Sequence, residues 1–561
     1  VTSPTLESRI AANSSNEVAF PTLSAEDLAA LTTRGHPREV RAGEVLFAEG
    51  ERNRSFFVVL RGSIEIIGHA KGVSQVVAVH HPGQFSGDID MLSGRATLVT
   101  GRVAEDGRVI ELTNPELRRA VEELPDLSKI LITAFLTRRT LLLDADFDGV
   151  TILGSRFSPD SHRLRDFATR NGVPFRWIDL DTDEKADALL RQFNIPASAT
   201  PIVMGRDKNR WLSKPSIADF ARCMGLEVTL EPDHVYDLVV VGAGPAGLAA
   251  SVYGASEGLD VLTLDALAAG GQAGTSSRIE NYLGFPAGIS GAELTRNALT
   301  QAQKFGAQIT VPTEVRSLGL DGGERIVTLV DGTRLRTRCV LVASGVEYRK
   351  LDVPRFAEFE RAGIYYAATE MEAKLCKGEE VVVVGAGNSA GQAIMFLSKY
   401  ASEVHLVMRG KDLGASMSRY LVDRVEHTDN VTIHRGAVVT GLEGNGHLSA
   451  VHVRAANGQQ TFNTSSLYLF IGADPNTTWL HGCVELDRKG FVLTGNGLPP
   501  TTAEAERWRA AGRAPFLLET DLPGVFAAGD VRSGSAKRVA AAVGEGSMAV
   551  SFVHAYIARP V

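Results

Sequence analysis

Cysteine is scarce: Cys223, Cys339, Cys376 and Cys483 are the only four in 561 residues, and no two form C-x-x-C. That excludes a disulfide scaffold. Excess positive charge is also missing. The net charge is −8, which argues against nucleic acid as a partner. No uninterrupted apolar run reaches the roughly 18 residues of a membrane-spanning helix. The polar start lacks a basic stretch followed by an apolar one, so no signal peptide is expected and the protein is expected to be cytoplasmic. With 44% hydrophobic and 22% charged residues, the composition is that of a folded soluble chain, long enough for two to four domains.

What is present is organised around one stretch. Leu238–Val241 reads as a buried strand, and Gly242-Ala243-Gly244-Pro245-Ala246-Gly247 then turns the chain into a helix. Gly242 permits the tight turn, Gly244 lets a pyrophosphate approach the backbone, and Gly247 lets the helix pack against the strand. The next strand, Val261–Leu264, ends at Asp265, where an acid can bind a ribose 2′-hydroxyl. A second turn, Gly385-Ala386-Gly387-Asn388-Ser389-Ala390, again lies between strand and helix. Its following strand ends at Arg409 and Lys411 rather than at an acid. A basic pair suits a 2′-phosphate, so NADPH is expected over NADH. Tandem sites point to two dinucleotides passing a hydride. Gly524–Asp530 forms a further strand ending in Gly529-Asp530, and Lys537-Arg538-Val539-Ala540 opens a long helix. Such an acid can bind a ribityl chain, and the helix start favours negative charge on a reduced flavin.

Residues 235–561 resemble the low-molecular-weight thioredoxin reductase family. The resemblance implies an FAD domain split into 235–353 and 478–561, with an NADPH domain, 354–477, between. It places Gly242, Gly244, Pro245, Ala246, Gly247 and Asp265 at the ADP half of FAD. Gln272 and Asn281 would lie near the ring, Gly529 and Asp530 at the ribityl and phosphate region, and Arg538, Val539 and Ala540 at the pyrimidine edge; Ala343 and Gly345 end a strand in small residues, as where a backbone crosses close to the FAD. Gly385, Gly387, Asn388, Ser389, Ala390, Arg409 and Lys411 would hold NADPH. The family's second basic residue after this strand is Gly410 here. Homodimers paired through FAD domains and a large domain swing are also implied. One departure is decisive. Where the family has C-A-T-C followed by Asp, this chain reads Ala367-Ala368-Thr369-Glu370-Met371. No thiol can form the flavin adduct, and Glu370 is left as a candidate proton donor beside the ring.

Residues 1–145 open with a polar arm to about Ala19. Short β-type runs follow (44–48, 56–60, 63–67, 75–79), punctuated by Gly43, Gly50, Gly62 and Gly83, and a helix spans 127–143. The layout resembles the cyclic-nucleotide-binding domain of the catabolite activator family. Gly87, Asp88 and Arg95 match its phosphate cassette. The acid is a shorter residue than the family's glutamate, and the loop is about two residues short. These departures favour a cassette that has lost cyclic-nucleotide binding over a working one. The domain is then expected to sense a small anion or to serve as a docking surface.

Residues 146–232 read as β-α-β-α-β-α, with helices at 161–171, 183–193 and 216–224. This part resembles glutaredoxin and thioredoxin, with Ser158-Pro159-Asp160-Ser161 in place of C-P-x-C and Thr200-Pro201 at the cis-proline position. Hydroxyls cannot exchange disulfides, so a spacer or docking role is expected.

The expected architecture is multidomain: an N-terminal β-roll with helices, a middle thioredoxin-like α/β domain, and a C-terminal pair of Rossmann-like three-layer α/β domains. The expected function is an FAD-dependent NAD(P)H oxidoreductase without a redox dithiol. It would pass electrons to a non-thioredoxin acceptor and be modulated through its N-terminal domain. The acceptors considered are an iron–sulfur or flavin protein, a quinone, a small disulfide or dioxygen. Related folds without the cysteine pair include ferredoxin–NADP and bacillithiol-disulfide reductases. The former carry a C-terminal segment over the flavin, which is not expected beyond the last helix here. The alternative is a flavin-based redox or ligand sensor with little turnover. No metal is expected.

Overall fold

The computed structural model describes residues 17–558 except 53, 71–72, 89, 145–149, 184–185, 187–189, 192–194, 206–210, 225, 227–229, 232, 277, 322, 361, 457, 481, 500–507 and 509–511. Most of the opening arm, and most of the helix expected over 183–193, lie outside the described residues.

The N-terminal unit contains α1 (Ala25–Thr32), β1 (His36–Val40), β2 (Val45–Phe47), β3 (Phe56–Ala70), β4 (Val73–His80), α2 (Asp90–Ser93), β5 (Thr100–Leu112), α3 (Asn114–Glu123) and α4 (Pro125–Asp144). The strands form one antiparallel sheet in the order β1-β5-β3-β4, with β2 on β5. The runs at 56–60 and 63–67, read from sequence as two strands, are one. Gly62 (φ +82°) makes a bulge rather than a turn. A Cβ there would lie 2.7 Å from the Glu105 carbonyl oxygen, so β5 follows the kink closely. Phe56, Phe85 and Phe135 form the core between sheet and helices.

The middle unit has β6 (Val150–Gly154), α5 (Pro159–Arg170), β7 (Phe175–Asp179), β8 (Ile202–Met204), β9 (Trp211–Ser213) and α6 (Ile217–Cys223). Its sheet order is β7-β6-β8-β9, with β6 and β7 parallel and the remaining pairs antiparallel. The short edge strand β9 escaped the sequence reading, since three residues carry no periodicity.

The third part begins with β10 (Val235–Val241), α7 (Pro245–Ser256), β11 (Val261–Leu264), α8 (Gly291–Lys304), β12 (Gln308–Thr310), β13 (Val315–Asp321), β14 (Glu324–Leu329) and β15 (Arg334–Val342). Then come β16 (Val346–Tyr348), β17 (Ile364–Tyr365), α9 (Glu370–Leu375), β18 (Glu380–Gly385), α10 (Asn388–Leu397), β19 (Glu403–Met408), α11 (Arg419–Glu426) and β20 (Val431–Arg435). The chain continues with β21 (Val438–Gly444), β22 (Leu448–Ala455), β23 (Gly458–Phe462), β24 (Leu467–Phe470), β25 (Ala473–Pro475), β26 (Val525–Ala527) and α12 (Val539–Ile557).

Two parallel-cored sheets result. One runs β12-β11-β10-β15-β14-β13 with β26 on β15; the other runs β17-β24-β18-β19-β20. A three-stranded sheet, β21-β22-β23, packs against the second core, and β16 pairs with β25 between the two halves. Strand β26 returns to the first sheet after the whole second sheet has been built, and α12 then packs along α7. Both central strands, β10 and β18, are continuous Val-rich runs because each is covered on both faces.

Candidate nucleotide sites

The first glycine turn is determined by close backbone approach. Gly242 sits at φ +108°, and a Cβ there would lie 2.2 Å from the Ala343 carbonyl oxygen. At Gly247 a Cβ would lie 1.8 Å from the Gly242 carbonyl oxygen. Neither position tolerates a side chain, whereas Gly244 faces nothing nearer than Gly271 Cα at 4.0 Å and leaves its surface open. Pro245 and Ala246 begin α7.

Asp265, at the end of β11, is placed against this turn. One of its carboxylate oxygens accepts from Ala243 N at 2.9 Å, and the other from Leu267 N at 2.9 Å and Ala268 N at 3.0 Å. The carboxylate therefore orders the turn, a role the sequence spacing did not reveal. Ala343 is buried beside Gly242, and Gly345 follows at φ +66°. Gln272 donates to the Val346 carbonyl, and Asn281 is exposed.

Gly529 and Asp530 follow β26, beneath the start of α12. Gly529 N donates to Glu545 at 2.7 Å, and Glu545 also pairs with Arg532. Burial pushes the Asp530 carboxyl up, against the opposing pull of Lys537. Arg538 caps α12, with Val539 and Ala540 in its first turn.

The second turn repeats the first. Gly385 (φ +141°) ends β18, and Gly387 caps α10, where Asn388, Ser389 and Ala390 form the first turn. The Asn388 side-chain oxygen accepts from Ser418 N at 2.7 Å. Arg409 and Lys411 are exposed beyond β19.

Helices α1, α5, α6 and α8 are capped by the side chains of Ser24, Ser158, Ser216 and Ser290. By contrast α7, α10 and α12, like α11, have no side-chain cap. Their first amides are open donors at the positive end of the helix dipole, which suits phosphate or a reduced ring. These are the three helix starts that the sequence assigned to dinucleotides.

The cassette of the N-terminal unit is occupied by its own side chains. Asp88 is 4% exposed and pairs with Arg54 at 2.6 Å; Asp90 pairs with Arg139 at 3.0 Å. Gly87 (φ +101°) gives its carbonyl to Arg138, whose guanidinium burial lowers to a pKa of about 9. Arg95 donates to the carbonyl of Asn171, in the middle unit.

In that unit Ser158 caps α5, and the buried Ser161 lies against Gly154 and Pro201, where the Thr200–Pro201 bond is cis. Helix α5 touches both halves of the C-terminal part. Arg170 donates to the Gly271 carbonyl at 3.0 Å and Asn171 to the Leu267 carbonyl at 3.1 Å. Toward the second half, His162 Nε2 lies 3.4 Å from Glu372 Oε1, and Phe157 stacks on His447 with ring centroids 4.3 Å apart. Burial pushes Glu372 up, but His162 and Thr369 outweigh it and hold the carboxyl below its usual range. A cleft of about 320 Å³ opens along this seam beside Tyr365 and His447. The side chain of Glu370, two residues before Glu372, lies outside the described residues.

Cys339 and Cys376 are buried. Burial pushes the Cys339 thiol up to about 12 and raises that of Cys376. Among the described residues no helix is long and apolar enough to cross a membrane.

Comparison with known proteins agrees with this layout. Residues 37–123 match the cyclic nucleotide-binding domain. Thioredoxin reductase of Streptomyces clavuligerus is 31% identical over 327 residues, covering 58% of this chain and 94% of that protein. NADPH-dependent thioredoxin reductase 3 of Arabidopsis thaliana is 31% identical over 332 residues, and the match covers 58% of either chain. The structure of T. acidophilum thioredoxin reductase superposes with a TM-score of 0.51 at 28% identity, covering 58% of this chain and 99% of that one. Residues 236–546 match the family described as pyridine nucleotide-disulphide oxidoreductase, and the chain is an oxidoreductase belonging to that family.

Proposed function

We propose that the chain transfers hydride from NADPH to FAD and passes the electrons to an acceptor other than thioredoxin. Thioredoxin reductase homologues are FAD-containing, NADPH-dependent enzymes, and this chain takes the same two cofactors. The observation that carries the reading is the pair of glycine turns with uncapped helices, one beside an acid and the other beside two bases.

The FAD domain comprises 235–353 and 478–561, and the NADPH domain 354–477. The open face of Gly244 and the first amides of α7 hold the pyrophosphate of FAD. Asp265 orders that turn and offers an oxygen to the ribose. Asp530 binds the ribityl chain, and the start of α12 faces the pyrimidine edge. Gly385, Gly387 and the first amides of α10 hold the NADPH pyrophosphate, and Arg409 and Lys411 its 2′-phosphate. Bound FAD supplies the two-electron chemistry, and the side chains hold both cofactors in line and exclude water.

The electrons leave without a protein dithiol. Ala367 and Glu370 stand where the resemblance places the two redox cysteines, and Cys376 is buried against Tyr468. The middle unit is a thioredoxin-like domain whose exchange positions carry Ser158 and Ser161. It presents this helix start to the segment containing Ala367–Glu372. Disulfide exchange requires that the two sulfur sites meet. Here the chain's own domain, with hydroxyls for thiols, occupies the meeting place and covers that face against an external thioredoxin.

The N-terminal unit reaches the FAD turn through α5. Arg95 and Arg139 grip the carbonyls of Asn171 and Gly172, while Arg170 and Asn171 hold the loop at Leu267–Gly271. This is a physical route for modulation, with the cassette acting as a clasp rather than a nucleotide pocket. A homodimer paired through FAD domains follows from the resemblance.

The test is direct. Purified protein is expected to carry bound flavin that NADPH bleaches. Steady NADPH consumption is expected with a quinone, a small disulfide or dioxygen, and none that depends on thioredoxin. Reduction that stalls after one turnover with every acceptor would replace the enzyme by a flavin sensor. A colourless protein that FAD cannot reconstitute would remove both.

A further inference from the structure

At the base of the second parallel sheet, far from its glycine turn, lies a cluster that the hydride chemistry does not use. Glu380 and Glu403 are the first residues of β18 and β19 and stand directly opposite one another in the register. Like charges paired across adjacent strands repel. His405, two residues along β19, projects from the same face as Glu403. Its ring is 7% exposed and lies on Phe462, with centroids 4.3 Å apart.

The two ring nitrogens of His405 face different partners. Nε2 lies 3.6 Å from Glu380 Oε2, and Nδ1 lies 3.8 Å from Glu403 Oε1. From β20, His434 brings its Nε2 to 3.4 Å from His405 Nδ1. One ligand atom from each of Glu380, Glu403 and His405 falls within 4.8 Å of the others. Thr432 donates to Glu403 at 2.7 Å and so orients that carboxylate, as outer-shell partners of metal ligands do.

We propose that Glu380, Glu403 and His405, with His434 beside them, form a divalent transition-metal site. Two carboxylates and imidazole nitrogen are the ligand set of zinc and its neighbours rather than of magnesium or calcium, which take oxygen alone. Bonds of about 2.0–2.2 Å in a tetrahedral site put ligand atoms about 3.3–3.6 Å apart, so one ring nitrogen of His405 takes the ion and the glutamate facing the other nitrogen swings in by about 1 Å. A bound ion replaces carboxylate repulsion by attraction and ties β18 to β19, and through His434 to β20. The site pins the sheet that carries the NADPH turn without touching the turn itself.

The experiment uses the full chain, stripped with a chelator and titrated with Zn²⁺ and, separately, Co²⁺. One site is expected, with the visible absorption of low-coordinate Co²⁺ and without the sulfur-to-metal charge transfer that a cysteine ligand would add. His405→Gln is expected to weaken binding at least tenfold, as is the exposed change Glu380→Gln. Both variants should keep their flavin content and circular dichroism, and the zinc-dependent rise in Tm should disappear with them. Absence of binding to the wild-type chain would overturn the proposal. Binding that survives in both variants would also overturn it, because the ion would then sit elsewhere.

Discussion

The two glycine turns share a backbone plan and differ in how tightly the surrounding protein holds them. The first is locked. Side chains are barred at Gly242 and Gly247 by carbonyl oxygens, and the Asp265 carboxylate is bonded to three backbone amides. The second is as tight at its first glycine, where a Cβ on Gly385 would lie 2.3 Å from the Phe470 carbonyl oxygen, and as open at Gly387 as the first is at Gly244. It is looser elsewhere: Ala390 stands where the first turn has Gly247, and Arg409 and Lys411 stand in solvent where Asp265 ties the first turn. A rigid turn suits a cofactor that stays, and an open one suits a coenzyme that must enter and leave at each turnover. The lesson is that one motif becomes a resident site or an exchange site through the packing around it.

The largest break in this comparison comes from the locked turn. Gly247→Val drives its Cβ into the Gly242 carbonyl. We expect loss of bound flavin and a destabilisation of about 3 kcal/mol or more, read by flavin absorbance and thermal denaturation. Gly387→Ala, at a position with no atom nearer than 4.0 Å, is the control and should retain flavin and fold.

Next is the seam beside the second half. Glu372 has a folded pKa below its unfolded value, so its stabilisation is complete above the unfolded pKa. That stabilisation is lost as pH falls through the folded one. Glu372→Gln should lower stability at neutral pH by about 2 kcal/mol and flatten the acid limb of a Tm-against-pH curve.

A smaller effect is expected at Asp265→Asn, which weakens the acceptors of three amides. FAD affinity should fall by about tenfold, measured by flavin release on dilution. Smaller still, and confined to the open turn, Arg409→Ala should raise KM for NADPH by about five- to tenfold while leaving KM for NADH nearly unchanged. Lys411→Ala should move KM for NADPH by about twofold. Equal effects of Arg409→Ala on both coenzymes would show that the basic pair does not read the 2′-phosphate.

The legible parts of the sequence were those whose physics is local. Buried Val runs, glycines at fixed offsets and the residue ending the next strand all lie within one β-α-β unit, and that unit folds as a unit. The missed parts depend on residues distant in the chain. Gly62 reads as a turn until β5 is seen following its bulge. No spacing announces the contact of Asp88 with Arg54 or of Arg95 with the Asn171 carbonyl. The Glu380, Glu403, His405 and His434 cluster has no motif spacing, because three strands supply it through lateral register.

The sequence by itself determined that two glycine turns lie between strand and helix, and which is followed by an acid and which by bases. It also determined that Ala367 and Glu370 stand where the resemblance places two cysteines, since these are matters of residue identity at short range. Only the tertiary structure decided that α5 joins the N-terminal cassette, the FAD loop and the segment at Ala367–Glu372. Those contacts link residues far apart in the chain, and only packing brings them within hydrogen-bonding distance.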